Sequence, residues 1–199
     1  MLISGRGSNL VAILDGIAAG ALEAEVALVI SNEPAADGLR AARDRGVETL
    51  ALDHRASPDR ESHDRLMAEA LETHAVGLVC LAGYMRVLTP WFVRRFRGRI
   101  LNIHPSLLPA FPGHDAHRAA LEHGVKVSGC TVHFVDEGID SGPILLQAAV
   151  PIDEGDDPAS LAARILQHEH RIYLEAIRIV LSGGYRIEGR RVRIFPAGS

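Results

Sequence analysis

The sequence lacks several features that would assign it to particular classes of protein. It has only two cysteines, Cys80 and Cys130, among 199 residues. Because both lie in apolar runs, we expect buried thiols in a reducing compartment and no disulfide framework. The formal net charge of −4 argues against non-specific nucleic-acid binding, which needs a basic surface.

Long apolar runs are also absent. No stretch approaches the roughly 18 residues that predict a membrane span, and no basic segment followed by an apolar stretch marks a secretory signal. We therefore expect a cytoplasmic protein that binds neither nucleic acid nor a membrane. Hydrophobic residues make up 47% of the chain, which suffices for a substantial core. The sequence leaves the oligomeric state open between monomer and homodimer.

Apolar runs alternate with helix-like segments over about the first hundred residues. Such alternation predicts an α/β fold, with a mostly parallel twisted sheet and helices on both of its faces. The predicted strands are residues 2–4, 26–31, 47–51, 75–82 and 99–103. The predicted helices are residues 9–19, 36–45 and 58–73, followed by a short helix that opens at Thr89-Pro90.

The pattern changes after Pro105, where antiparallel elements are expected. The predicted elements of this half are a helix at 115–123, strands at 127–135 and 143–150, a helix at 158–181 and a hairpin over 185–195. Asp156 or Asp157 is expected to cap the long helix, and the hairpin is expected to turn at Gly189. With no repeat and no low-complexity linker, we expect one domain over 1–199, with functional halves at about 1–100 and 101–199.

A glycine-rich turn, Ser4-Gly5-Arg6-Gly7-Ser8-Asn9, lies between the first predicted strand and the first predicted helix. Glycines let the backbone approach an anion, and the N–H groups and dipole of the following helix favour negative charge. A dinucleotide-binding turn would need a third glycine where Leu10 stands, and the Gly-Lys-Ser/Thr of an ATP-binding loop is also absent. The turn therefore favours a single phosphate. The alternative is a tight turn that serves packing alone.

Asn102 and His104 lie two residues apart where a predicted strand ends. Side chains at this spacing share one face of a strand, and Pro105 stops the strand where a loop opens. Asp140 follows in a turn-rich segment. A carboxylate stabilises the protonated form of a nearby imidazole, and a protonated histidine beside a carboxamide suits an oxyanion and its leaving group.

This trio predicts the attack of an amine on an acyl carbon through a tetrahedral intermediate. No serine or cysteine lies at a strained turn, so direct transfer without a covalent acyl-enzyme is expected. The alternative is a polar trio that only holds a loop.

Five histidines between residues 104 and 133, with Cys130 nearby, raise the question of a metal site. They are His104, His114, His117, His123 and His133. Neither a cysteine pair nor a His-Glu-x-x-His frame completes a ligand set, so we expect no metal. His123 is expected at a solvated helix end and His133 on a strand face.

Four segments, in this order, resemble the phosphoribosylglycinamide formyltransferase family. They are residues 5–9, 81–86, 102–109 and 136–143, within a resemblance that extends from residue 2 to about 173. The resemblance implies the Rossmann-like formyltransferase fold. It also implies transfer of a formyl group from 10-formyltetrahydrofolate, the co-substrate, to the amine of glycinamide ribonucleotide in de novo purine biosynthesis.

The resemblance further implies roles for individual residues. Asn102 would stabilise the formyl oxygen, His104 would donate a proton, and Asp140 would hold and charge the histidine and relay protons through water. The residues implied to bind the ribonucleotide are Gly7, Ser8 and Asn9, at its phosphate, and Glu169. The residues implied to bind folate are Arg60, Met85, Arg86, Val87, Leu88, Asn102, Asp136, Glu137, Gly138, Ile139 and Asp140.

Three positions depart from the family pattern. Asp115 stands where relatives often have a histidine, which puts in doubt an essential histidine there. Leu166 stands where some relatives have a glutamine near the ribonucleotide. The segment around Gly138 is one residue longer than in some members, which would reshape the folate loop slightly.

Other functions stay open at this point. Formyltetrahydrofolate hydrolases share the Asn-x-His element but usually carry an N-terminal regulatory domain and a second histidine where Pro105 stands. Methionyl-tRNA formyltransferases add a basic C-terminal domain, for which this acidic chain leaves no room. A non-catalytic binder of phosphorylated ligands would need only the glycine turn.

Overall fold

The computed structural model describes residues 1–195, which form two compact units. The first unit is Met1–Asn102, and the second begins at Ile103. The boundary lies close to residue 100, where we placed the division between the two functional halves. The functional meaning of that division stays a prediction.

The first unit alternates strands with helices, as predicted. Its strands are β1 (Leu2–Ile3), β2 (Val29–Ser31), β3 (Thr49–Ala51), β4 (Val79–Leu81) and β5 (Ile100–His104), whose last two residues begin the second unit. Its helices are α1 (Ser8–Ala18), α2 (Asp37–Arg43), α3 (Arg60–Thr73) and α4 (Pro90–Arg95), with a 3-10 turn at His54–Ala56. The strands are parallel and lie in the order β3-β2-β1-β4-β5.

Capping side chains set the starts of α3 and α4. The Asp59 carboxylate accepts the Ser62 N–H at 2.7 Å and begins α3. The Thr89 hydroxyl accepts the Phe92 N–H, and Pro90 takes the first position of α4, where its missing N–H costs nothing. The strands themselves are fully buried in β1, β2 and β4, so their apolar side chains form the core of the unit.

The second unit is built on antiparallel pairs. Its elements are α5 (Ala116–Glu122), β6 (Val127–Phe134), β7 (Ile144–Pro151), α6 (Pro158–Leu181), β8 (Tyr185–Glu188) and β9 (Arg191–Ile194). Its strands lie in the order β6-β7-β9-β8; β6–β7 and β8–β9 are antiparallel, and β9 pairs in parallel with β7. Helix α6 packs against β6 and β7, and its buried residues include Ile165 and Tyr173. No helix within residues 1–195 combines the length and apolar character needed to cross a membrane.

The predicted fold class is confirmed: the sheet is mostly parallel, with antiparallel strands in the C-terminal half. The long helix at 158–181, its Asp157 cap and the hairpin turning at Gly189 are also confirmed. The strand predicted at 75–82 begins four residues later. Ala75 takes a left-handed φ of 51°, and the Val76 N–H donates to Leu71 O at 3.0 Å, so this stretch closes α3.

Candidate active site

The glycine turn leads directly from β1 into α1. Gly7 is the N-cap of α1 and has a left-handed φ of 73°. A Cβ on Gly7 would lie 2.9 Å from the Gly38 Cα, because α2 begins against the turn and the Gly38 N–H donates to Gly5 O at 3.0 Å. Packing therefore already demands a glycine at position 7. The first turn of α1 has no side-chain cap, which leaves it suited to an anion.

Ser4 links this turn to the segment 83–88 that follows β4. The Ser4 N–H donates to Gly83 O at 3.1 Å. The Ser4 hydroxyl accepts the Met85 N–H at 2.8 Å and donates to Asn32 Oδ1 at 2.5 Å. The predicted phosphate turn and the first residues of the predicted folate segment are thus hydrogen-bonded to each other within the first unit.

Helix α3 holds both ends of that segment. The Tyr84 hydroxyl lies 3.3 Å from His63 Nε2, and the Asp64 carboxylate accepts both the N–H and the hydroxyl of Thr89 at 2.7 Å. Burial lowers the pKa of His63 and raises that of Tyr84, so both groups stay neutral. Between these anchors the side chains of Met85 and Val87 are exposed by 61% and 46%. A pinned loop with exposed apolar side chains suits a flat aromatic ligand.

Arg60 is exposed in the first turn of α3. It borders a groove shared with Thr89 and Pro90, where the segment 83–88 runs into α4. Arg65 borders the same groove and stacks over Trp91, with its guanidinium carbon 4.3 Å from the ring centroid. Arg60 is therefore placed beside the predicted folate segment with its charge in solvent.

Asn102 and His104 both lie on β5, and His104 is the last residue of that strand. His104 is buried, and each of its ring nitrogens faces an oxygen. Nε2 is 2.8 Å from Phe111 O, and Nδ1 is 3.3 Å from Asp140 Oδ2. A carbonyl and a carboxylate both accept, so the doubly protonated imidazolium is the form that donates to both.

Three hydrogen-bond donors of the second unit surround the Asp140 carboxylate. Besides His104 it accepts the Gly113 N–H at 2.8 Å, and its Oδ1 lies 3.6 Å from His133 Nε2. Burial opposes its ionisation, but the His133 side chain, the Gly113 N–H and the charges of the two histidines hold the pKa of Asp140 below its usual value. Its backbone takes a left-handed φ of 48°, which is uncommon for a residue other than glycine.

The sequence did not predict that His133 and Gly113 contact the Asp140 carboxylate. His133 was expected merely to line a strand face. It does lie buried on β6, yet its side chain turns to Asp140 while Nδ1 lies 2.9 Å from Phe134 O. A sequence signal existed: Thr131 and His133 are polar at alternate positions of an apolar strand. Thr131 uses that face to accept the Leu108 N–H at 3.1 Å and to donate to Ser106 O at 2.7 Å.

The loop 136–142 carries Asp140 and the predicted folate residues of this unit. The Asp136 carboxylate accepts the Gly138 N–H at 3.1 Å and the Ser141 hydroxyl at 2.6 Å, which closes the loop on itself. The side chain of Ile139 is 60% exposed at its tip, and Glu137 is also exposed. The loop is therefore ordered by its own hydrogen bonds and presents an apolar tip.

Glu169 is buried on α6, where helix and strands β6 and β7 pack together. Burial raises the pKa of the Cys130 thiol to about 12, and the charge of Glu169 adds to the effect. Cys80 and Cys130 are both buried, as expected.

His123 lies exposed at the end of α5, and Asp115 is the N-cap residue of that helix, with a left-handed φ of 59°. Within residues 1–195 no three His, Cys, Asp or Glu side chains are grouped as a metal site requires.

Comparison with known proteins places these features in a family. The model of the Formyl transferase family matches residues 1–177. Phosphoribosylglycinamide formyltransferase of Escherichia coli (strain K12) is 46% identical over 173 residues, which is 87% of this chain and 82% of that protein. The trifunctional purine biosynthetic protein adenosine-3 of Drosophila pseudoobscura pseudoobscura is 48% identical over 188 residues. These cover 94% of this chain but 14% of that protein, so the chain corresponds to a small part of such relatives.

Solved structures agree with the sequence relatives. The crystal structure of glycinamide ribonucleotide transformylase 1 from Symbiobacterium toebii has a TM-score of 0.96 and 58% identity, covering 98% of this chain and 92% of that one. A formyltetrahydrofolate deformylase from Pseudomonas syringae pv. tomato has a TM-score of 0.88 and 27% identity, covering 98% of this chain and 64% of that one. Because the family model matches residues 1–177, which is most of the chain, this chain belongs to the formyl transferase family.

Proposed function

We propose that this chain transfers the formyl group of 10-formyltetrahydrofolate to the amine of glycinamide ribonucleotide, a step of de novo purine biosynthesis. The observation that carries the proposal is the buried His104–Asp140 pair, 3.3 Å apart at the end of β5. The 58% identity to a glycinamide ribonucleotide transformylase also supports the proposal. The substrates are small molecules, and we propose that the protein acts in the cytoplasm as a monomer or homodimer.

The chemistry needs one nucleophile, one oxyanion donor and one proton donor. The amine nitrogen attacks the formyl carbon, and the carbonyl electrons move onto the oxygen. The Asn102 carboxamide donates a hydrogen bond to that oxyanion. The tetrahedral intermediate collapses by breaking the bond to N10 of the folate, which takes a proton from His104, while the amine loses one proton that water and Asp140 return to His104.

His104 has one ring proton to give in this scheme. The Nδ1 proton is directed at Asp140, which keeps the ring oriented. The Nε2 proton is directed at Phe111 O at 2.8 Å, so a substrate atom would replace that carbonyl as its acceptor. Asp140 remains ionised near neutral pH because its pKa is depressed, and it relays the departing proton through water.

The two substrates would be held by different groups of residues. Gly7, Ser8 and Asn9 at the start of α1 would hold the ribonucleotide phosphate, with Glu169 as a further ribonucleotide contact. The backbone of the segment Met85, Arg86, Val87 and Leu88 would hold the pterin, with Arg60 nearby. Asn102 and the residues Asp136, Glu137, Gly138, Ile139 and Asp140 would complete the folate contacts.

Formyltetrahydrofolate hydrolysis is the second candidate, because a formyltetrahydrofolate deformylase shares the fold at a TM-score of 0.88. In that reaction water replaces the amine as nucleophile. Transfer is favoured because identity is 58% to the transformylase and 27% to the deformylase. Pro105 also occupies the position at which hydrolases usually carry a second histidine.

The deciding experiment measures loss of 10-formyltetrahydrofolate with and without glycinamide ribonucleotide. Transfer predicts consumption only when the amine is present, with one formylated product per donor consumed. Consumption that does not depend on the amine would instead establish a hydrolase. A His104→Ala variant should lose activity about 10²–10⁴-fold, the usual contribution of a general acid. If the wild type binds the phosphorylated ligand but consumes no donor, the chain is a binder.

A further inference from the structure

The C-terminal hairpin of β8 and β9 lies beyond residue 177, where the match to the family model ends. None of its residues was predicted to take part in the site. Its turn nevertheless reaches the loop that carries Asp140. The Arg190 guanidinium Nη2 donates to Ser141 O at 2.8 Å, across 49 residues of sequence.

The hairpin also contacts both strands from which that loop emerges. Tyr185 on β8 stacks on Phe134, the last residue of β6, with ring centroids 5.2 Å apart. Arg191 pairs with Ile144, the first residue of β7. The hairpin therefore contacts the chain at three places: at Phe134 before the loop 136–142, at Ser141 within it, and at Ile144 after it.

Ser141 directly follows Asp140 and forms two hydrogen bonds to other parts of the second unit. Its hydroxyl donates to Asp136 at 2.6 Å, which closes the loop from inside. Its carbonyl accepts the Arg190 guanidinium, which holds the loop from outside. The preceding residue, Asp140, has a left-handed φ of 48°, a conformation that persists only when the surroundings enforce it.

We propose that Arg190 is a positioning residue for catalysis, which acts through Ser141 to hold the Asp140 carboxylate against His104 and to keep the folate-facing loop in shape. A guanidinium on a carbonyl is a charge-assisted hydrogen bond, among the stronger kinds. The role of Arg190 in turnover rests on the proposed function. Its effect on the loop itself does not.

The first test needs no substrate. Amide hydrogen exchange follows the Gly113 N–H, which donates to Asp140, and the Gly138 N–H, which donates to Asp136. In Arg190→Ala both amides should exchange several-fold faster than in the wild type. The matched control is Arg193→Ala, since Arg193 lies on the same hairpin but pairs with Glu188 at 2.8 Å. Unchanged exchange in Arg190→Ala, or equal acceleration in the control, would overturn the proposal.

The second test measures turnover. Arg190→Ala should lower kcat about tenfold and raise the folate KM, within the range that a small misplacement of a catalytic group produces. The KM for glycinamide ribonucleotide should not change. Arg190→Lys, which keeps one charged donor, should recover part of the loss, and Arg193→Ala should match the wild type.

The pH profile separates positioning from a general loss of stability. A loosened Asp140 would lose contact with the donors that depress its pKa, so the acid limb of kcat/KM should move to higher pH in Arg190→Ala. A drop in activity with no shift of that limb, at an unchanged melting temperature, would count against Arg190. A wild type with no formyl transfer would refute the proposed function alone, since the exchange test would still decide the loop contact.

Discussion

His104 Nδ1 and Asp140 Oδ2 lie 3.3 Å apart, and the same carboxylate oxygen accepts the Gly113 N–H at 2.8 Å. The carboxylate is therefore oriented by the backbone before it meets the imidazole. Such an arrangement fixes the orientation of the histidine ring. It also keeps Asp140 ionised, because the donors around it depress its pKa in spite of burial.

Replacing Asp140 by Asn should therefore abolish most of the turnover. An amide at this position offers the histidine no negative charge, and the loss expected for a mispositioned acid–base residue is about 10²–10⁴-fold in kcat. Binding of the ribonucleotide should be unchanged, since Asp140 belongs to the predicted folate and proton-transfer groups. Steady-state kinetics with both substrates varied, and calorimetric titration of the ribonucleotide, check the two parts. Turnover within threefold of the wild type would refute the pairing.

The depressed pKa of Asp140 also predicts how stability depends on pH. A carboxyl whose pKa is lower in the folded state contributes stability above its unfolded pKa of about 3.9, and this is lost as pH falls through the folded value. Urea unfolding of the wild type should show that loss below about pH 4. Asp140→Asn has no such carboxyl, so the free energy of unfolding should fall less between pH 6 and pH 3. Parallel curves for the two proteins would contradict the prediction.

His133 should matter for activity although it was not predicted to. It is the side-chain donor that most lowers the pKa of Asp140, and His133→Ala removes it. The pKa of Asp140 should rise, so the acid limb of the pH–rate profile should move to higher pH. We expect a loss of about tenfold in kcat at neutral pH, the cost of weakening one member of a buried network. A loss in kcat with an unmoved acid limb would mean that His133 serves packing only.

The contrast between His104 and His133 shows what the sequence could predict. The shared face of Asn102 and His104 follows from the pleat of one strand, which is a local property. The approach of His133 to Asp140 depends on an irregular register between Val132 and His133 in the β6–β7 pair and on a left-handed backbone at Asp140. Neither feature has a signature in the order of residues. The hydrogen bond from Met85 to Ser4 likewise spans 81 residues and depends on the parallel pairing of β1 with β4.

The glycine turn offers a test that separates backbone strain from close packing. Gly7→Ala places a Cβ 2.9 Å from the Gly38 Cα at a φ of 73°. Gly20→Ala has nearly the same φ, 71°, with nothing within 4 Å, so it is the matched control for strain. We expect Gly20→Ala to cost about 1 kcal/mol of unfolding free energy and Gly7→Ala to cost clearly more. Gly7→Ala alone should also raise the KM for the ribonucleotide. Equal losses of unfolding free energy in both variants would mean that close packing against α2 adds nothing to the cost of the left-handed backbone.

Ser4 offers the last prediction, because its hydroxyl joins the two predicted binding segments of the first unit. Ser4→Ala removes the acceptor of the Met85 N–H and leaves the backbone bond from Ser4 to Gly83 intact. One hydrogen bond is worth about 1 kcal/mol, so the folate KM should rise about fivefold.

Ser31→Ala is the control for this change, since the Ser31 hydroxyl donates to Glu33 O at 2.9 Å and accepts the Glu33 N–H at 3.1 Å, two bonds that lie outside the segment 83–88. If Ser4 couples the segments, the ribonucleotide should improve folate binding in the wild type and less so in Ser4→Ala, because coupling between two sites is reciprocal. Fluorescence titration of a folate analogue with and without the ribonucleotide measures the factor by which the ribonucleotide improves folate binding in each protein. The same factor in Ser4→Ala and the wild type would show that the hydroxyl orders the segment but does not couple the binding of the two ligands.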